Sequence, residues 1–270
     1  MKSMADHNQG GGLPRIAGGF MRAFALYTRH YLRRHFHSFR LLRNGLLPEP
    51  INGPVVIYLN HASWWDPLVC LHLSRELLPA RTSYAPIDAA MLERYGFFKK
   101  LGFFPVEQNS ARGARQFLQA THAILASSRN AVWLTPQGRF MDVRERPLRL
   151  QGGLGALAAR EPHATFVPLA IEYTFWTEPR PEILVSFGEP ITPGSSLTLT
   201  AAEWTIALAD ALESTQDELA ARSCRRNAAE WVTVSRGSSG VNALYDGWRW
   251  LKARVRGERF SPEHPSEVLR

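Results

Sequence analysis

The chain has 270 residues, 45% of them hydrophobic, and a formal net charge of +8 with a pI near 9.9. That length supports one large core with helical appendages, and two cysteines, Cys70 and Cys224, exclude a disulfide framework or a zinc-type ligand spacing. The basic excess favours an anionic partner: nucleic acid, an anionic membrane surface or an acidic substrate.

Residues 1–14, "MKSMADHNQGGGLP", are polar and Gly-rich and are expected to be disordered. They lack the apolar stretch of a secretory signal, which favours a cytoplasmic protein. Residues 15–47 contain no Asp or Glu but seven arginines: Arg15, Arg22, Arg29, Arg33, Arg34, Arg40 and Arg43. Ile16, Phe20, Phe24, Tyr27 and Tyr31 recur at intervals of three or four, which predicts a basic amphipathic helix over this whole segment. Such a helix either docks on the core with its charges in water or lies among the headgroups of an anionic membrane.

After "PEPINGP" the pattern changes. "VVIYL" (55–59) reads as a buried strand. Residues 67–78 read as a helix with Asp66 at the N-cap and Pro67 at its first position. Strands follow at 81–86, 103–106, 131–134, 165–173 and 182–188. Helices are predicted over 88–102, 110–127, 152–160 and 201–223, and a last aromatic, basic helix over 243–260. Alternation on short connections predicts an α/β fold: a mixed, largely parallel sheet with helices on both faces, plus amphipathic N-terminal and C-terminal helices. The domain division expected is a membrane-associating helix over 15–47, a catalytic domain over 48–223, and a basic C-terminal segment over 224–270. No apolar window is long enough to span a bilayer.

His61 stands just past the first buried strand and Asp66 opens the next helix. Loops at the carboxyl ends of strands are where open α/β sheets bind ligands. A His with a carboxylate five positions on is a candidate general base with an orienting partner. No "GxSxG" turn supplies a protein nucleophile. A substrate hydroxyl activated by His61 would then be the nucleophile, which describes acyl transfer to an alcohol. The plainer alternative makes Asp66 a helix cap and His61 a loop histidine. Of Trp64 and Trp65, one is expected to line the acyl channel and the other to fill the core beside the catalytic loop. "QGGLGALAAR" (151–160) is expected to be a close-packed helix start rather than a phosphate loop.

Four stretches in order make the chain resemble the lysophospholipid acyltransferase family, the PlsC-like glycerolipid acyltransferases. Asn60, His61 and Asp66 match its Asn-His-x4-Asp block. "LGFFPVEQ" places Gly102, Phe104, Val106 and Glu107 in register with its second block, with Gln108 where an Arg is usual. "LTPQGRF" matches the "FPEGTR" block at Pro136 and Gly138, with Gln137 in place of Glu and Arg139 one residue early. Val167 and Pro168 match the fourth. The resemblance covers residues 55–190, about half the chain. It implies transfer of a fatty acyl group from acyl-CoA or acyl-carrier protein to a lipid hydroxyl. It makes His61 the base and Asp66 its orienter. It places the acceptor headgroup near Pro136, Gln137, Gly138 and Arg139 and the second-block loop, where Arg112 stands in for the missing Arg. Backbone N–H groups at the helix start after Asp66, or at the Gly138 turn, would hold the oxyanion. No metal or cofactor is implied.

Two other classes remain alongside it: a non-catalytic lipid-binding protein of the same fold, and an acyl-CoA thioesterase. Nucleic-acid binding rests on charge alone, with no recognised motif, and is not expected.

Overall fold

The computed structural model describes residues 13–47, 51–194 and 199–237. Short β-branched and aromatic runs, bounded by Pro, Gly and polar residues, form eight strands. These are β1 (Ser38–Leu42), β2 (Val55–Leu59), β3 (Thr82–Asp88), β4 (Phe103–Val106), β5 (Asn130–Leu134), β6 (Thr165–Thr174), β7 (Glu182–Phe187) and β8 (Trp231–Arg236). They make one sheet in the order β4-β3-β5-β2-β6-β7-β1-β8. The β6–β7 and β1–β8 pairings are antiparallel and the rest parallel. The expected mixed, largely parallel sheet is what forms.

Among the described residues six α-helices cover it: α1 (Gly18–His35), α2 (Asp66–Leu77), α3 (Ala89–Arg94), α4 (Ala111–Leu125), α5 (Gly153–Arg160) and α6 (Ala201–Arg225). Successive strand residues point to opposite faces, and β2 feeds both cores. Val55, Ile57 and Leu59 pack with Leu32 of α1 and Val69 and Leu73 of α2. Val56 and Tyr58 pack with Ile124, Leu157, Trp204 and Leu208 of α4, α5 and α6. Because β2 is central and all of "VVIYL" is buried, the loop leaving its carboxyl end is held on a rigid base.

The structure corrects the expected helix over residues 15–47. α1 stops at His35, and Phe36 is already extended at φ −116°, ψ 149°. Residues 38–42 then pair with β7 and β8. Phe39 and Leu41 enter the core shared with α1 and α2, while Leu42 enters a third, smaller cluster with Ala170, Leu184, Leu219 and Trp231. The apolar period there is two, not 3.6. β1 and β8 therefore extend the sheet beyond residues 48–223. The helix expected over 88–102 is also broken: α3 ends at Arg94, and Gly96–Leu101 forms a 3-10 turn. The expected disorder over 1–14 falls largely outside the described residues, and the helix expected over 243–260 wholly so.

The face that docks α1 is not the aromatic stripe. Its buried residues are Met21, Thr28 and Leu32. Phe20, Tyr27 and Tyr31 each precede one of these by a single position, and Arg22, Arg29 and Arg33 each follow one. At about 100° per residue, the aromatic and arginine rows therefore flank the docked stripe on opposite sides.

"QGGLGALAAR" is a close-packed helix start, as expected. A Cβ on Gly155 would lie 2.1 Å from the carbonyl oxygen of Ala201, so only Gly lets α5 meet α6 there.

Candidate active site

His61 and Asp66 meet at the carboxyl end of β2. His61 Nδ1 lies 2.7 Å from Asp66 Oδ2. The same oxygen accepts the Ser63 backbone N–H at 3.0 Å, and Oδ1 accepts the Tyr173 hydroxyl at 2.6 Å. Asp66 is fully buried. It is not the helix cap: Trp65 holds that position and Asp66 is the first helical residue. Its carboxylate is spent on three donors instead, two from the loop and one from β6. A carboxylate can only accept, so His61 Nδ1 carries the hydrogen and Nε2 presents its lone pair. No described residue bonds Nε2, and the imidazole is 18% exposed.

Burial first, and then the adjoining Asp66, push the Tyr173 hydroxyl well above its ordinary range. Tyr173 thus remains a donor at any working pH. Burial and Asp66 likewise push the Cys70 thiol up, one turn along α2. A protonated, partly buried thiol is no nucleophile.

The turn after β5 clamps the peptide of His61. Gln137 Oε1 accepts the His61 backbone N–H at 2.6 Å, and the His61 carbonyl accepts the Met141 N–H at 2.8 Å. Gln137 is buried, and its Nε2 contacts Met141 Sδ at 3.4 Å. Gly138 takes φ +71°, and a Cβ there would lie 2.1 Å from Gln151 Nε2. The Phe140 ring lies tilted at 42° against His61 with centroids 4.3 Å apart and is 59% exposed. Arg139 beside it is exposed, with no ion-pair partner among the described residues.

Other sequence-predicted residues lie elsewhere. Asn60 is buried and faces β6, donating to the Ile171 carbonyl at 2.9 Å and accepting its N–H at 2.8 Å. Its side-chain amide continues the β2–β6 ladder by one rung beyond Leu59. Asn60→Leu should therefore strand two buried backbone groups and cost about 2–4 kcal/mol; a thermal melt unchanged from the parent protein would refute this. Phe104 is a core residue, 3% exposed. Gly102 is left-handed at φ +91°, and its missing Cβ would lie 2.6 Å from the Ser83 carbonyl oxygen. Glu107 and Arg112 are exposed just beyond β4. β4 is three strands from β2, so the second block stands about 14 Å across the sheet from His61.

The N–H groups proposed for the oxyanion are engaged within the protein. Asp66 donates to the Ser63 carbonyl, Leu68 and Val69 to that of Trp65, and Gly138 to that of Thr135. Pro67 has none. Of the two tryptophans, Trp65 packs edge-on against Phe36 at 4.9 Å and joins the core, while Trp64 is 54% exposed.

Sequence reasoning missed Tyr173 and Phe140. Tyr173 had no local signal, being 107 residues from its partner. Phe140 stood next to Arg139, inside a stretch already singled out.

A base held in one tautomer, oriented by a buried carboxylate and lacking a protein nucleophile, can activate a substrate hydroxyl or water. Among the described residues no group of three or more His, Cys, Asp or Glu side chains is arranged to hold a metal ion. No curated protein matches the chain. A protein-family model described as Acyltransferase matches residues 29–172, just over half the chain and all of the His61–Asp66 loop and the 136–141 turn. On that match the chain belongs to the acyltransferases of the PlsC-like glycerolipid family and is a transferase.

Proposed function

We propose that the protein transfers a fatty acyl group from acyl-CoA or acyl-carrier protein to a hydroxyl of a lysophospholipid or related lipid. The observation that carries this is the His61–Asp66 pair, with Nε2 unbonded and no activated serine or cysteine beside it. His61 Nε2 takes the acceptor hydroxyl proton as its oxygen attacks the thioester carbonyl. The tetrahedral oxyanion collapses, the C–S bond breaks, and the imidazolium returns the proton to the thiolate. Asp66 holds the imidazole through both transfers. Gln137 and Met141 hold the peptide that carries it.

The reaction fits a membrane surface. No helix among the described residues is long and apolar enough to cross a bilayer, yet the substrates carry acyl chains. We place the protein peripherally, on the cytoplasmic face, held by α1 and by the basic, aromatic residues 243–256.

The acceptor is identified by screening lysolipids against one labelled acyl-CoA. A labelled, doubly acylated lipid is expected. Equal release of CoA with and without any lysolipid would instead establish a thioesterase. Arg139 is assigned to the acceptor headgroup, because it is the exposed cation on the turn that clamps His61. Arg139→Ala should raise the acceptor KM about tenfold or more and leave the donor KM within about twofold. Equal changes in both would reject the assignment.

A further inference from the structure

The rings of α1 do not end with the helix. Phe20 and Phe24 lie 6.3 and 6.2 Å from Phe97 in the 3-10 turn. At the other end Tyr31 lies 6.3 Å from Trp64 and 5.4 Å from Trp65, in the His61–Asp66 loop. Phe20–Phe24, Phe24–Tyr27 and Tyr27–Tyr31 connect the two ends. One aromatic surface thus runs about 16 Å along α1 and reaches the catalytic loop. Much of it is open: Phe20, Tyr27, Trp64 and Phe97 are 37, 53, 54 and 38% exposed. An exposed ring row of this length marks a contact surface rather than ordinary surface scatter.

Its charges say what it contacts. Three α1 arginines, Arg22, Arg29 and Arg33, are on the flank away from the rings, and exposed Arg34, three residues after Tyr31, is on the ring side. At the Phe20 end the cations bordering the rings come from the turn. Lys100 Nζ lies 5.7 Å from the Phe20 ring, and Arg94 packs 5.3 Å from that of Tyr95. Arg94, Lys99 and Lys100 are exposed and unpaired among the described residues, and Glu93 is the lone acid between residues 89 and 106. Rings with unpaired cations beside them suit a lipid–water interface with anionic headgroups.

We infer that the 3-10 turn Gly96–Leu101 is a further membrane-contact element, which forms with α1 and Trp64 one docking surface for an anionic bilayer beside the His61 loop. This rests on the membrane reading of α1, and the variants separate the two. Full-length protein is sedimented with vesicles of phosphatidylcholine, alone or mixed with phosphatidylglycerol, after melting curves confirm each fold. Phe97→Ser should lower partitioning onto both vesicles about tenfold. Changing Lys99 and Lys100 to Ser should lower it about tenfold or more on the mixed vesicles only, and by more than changing Arg22 and Arg29 to Ser. The lysine variant carries the test should Phe97→Ser fail to fold. Loss with Phe20→Ser but with neither turn variant overturns the inference and leaves α1 as the anchor. Vesicle binding unchanged by all of them, or a dimer that Phe97→Ser dissociates in the absence of lipid binding, also overturns it.

Discussion

His61→Ala is expected to lower acyl transfer by about 10²–10⁴-fold, the usual worth of a positioned general base. The loss should appear in kcat at saturating acceptor and donor, because Nε2 acts on the proton that moves rather than on binding. The fold should survive. The imidazole is partly exposed, and removing it leaves Asp66 two of its three donors, Ser63 N–H and the Tyr173 hydroxyl. The backbone clamp from Gln137 and Met141 does not involve the ring. A folded His61→Ala protein with near-parental turnover would sink the mechanism.

Asp66→Asn should be impaired to a similar extent, for a different reason. An Asn offers one acceptor oxygen and an NH2 donor where the carboxylate offers two acceptors. If the NH2 faces His61 Nδ1, the imidazole hydrogen is driven to Nε2 and the base is lost. If the oxygen faces Nδ1, the NH2 meets the Tyr173 hydroxyl. The hydroxyl oxygen can accept from that NH2, but its own hydrogen then loses its acceptor, leaving a buried donor unpaired at about 1–3 kcal/mol. In both orientations the carboxylate charge that stabilises the imidazolium is gone, so the variant should lose about 10²–10⁴ in kcat, and in the second it should also melt at a lower temperature. Tyr173→Phe, which leaves His61 its acceptor, should be much milder in kcat. Retention of more than about a tenth of parental turnover in Asp66→Asn would show that the carboxylate does not orient the base.

The two substitutions differ in how far sequence alone could have led to them. His61 and Asp66 are five residues apart on one loop, so local spacing and one strand end were enough to pair them. The same holds for the strands and helices between residues 51 and 188, apart from the helix expected over 88–102, which breaks after Arg94. The errors fall where periods change within a segment. Residues 15–47 pass from a period of 3.6 to one of two at Phe36, and reading them as one helix hid β1. Asn60 and Phe104 match family blocks, yet their side chains serve the sheet and the core.

By itself the sequence determined the α/β class, the central elements and the His–Asp pair, because each depends on residues close along the chain. Only the tertiary structure decided which groups converge on that pair. Tyr173 reaches Asp66 because β6 lies beside β2 in a register that sets Leu59 against Leu169, carrying the end of β6 past the His61 loop. Gln137 reaches the His61 backbone across 76 residues because β5 lies on the other side of β2. Strand order and register are outcomes of packing the whole sheet, and no local period encodes them. The same is true of α1, whose aromatic row was legible as a stripe, while its place on a flank beside Phe97 and Trp64 came from the docking of Met21, Thr28 and Leu32.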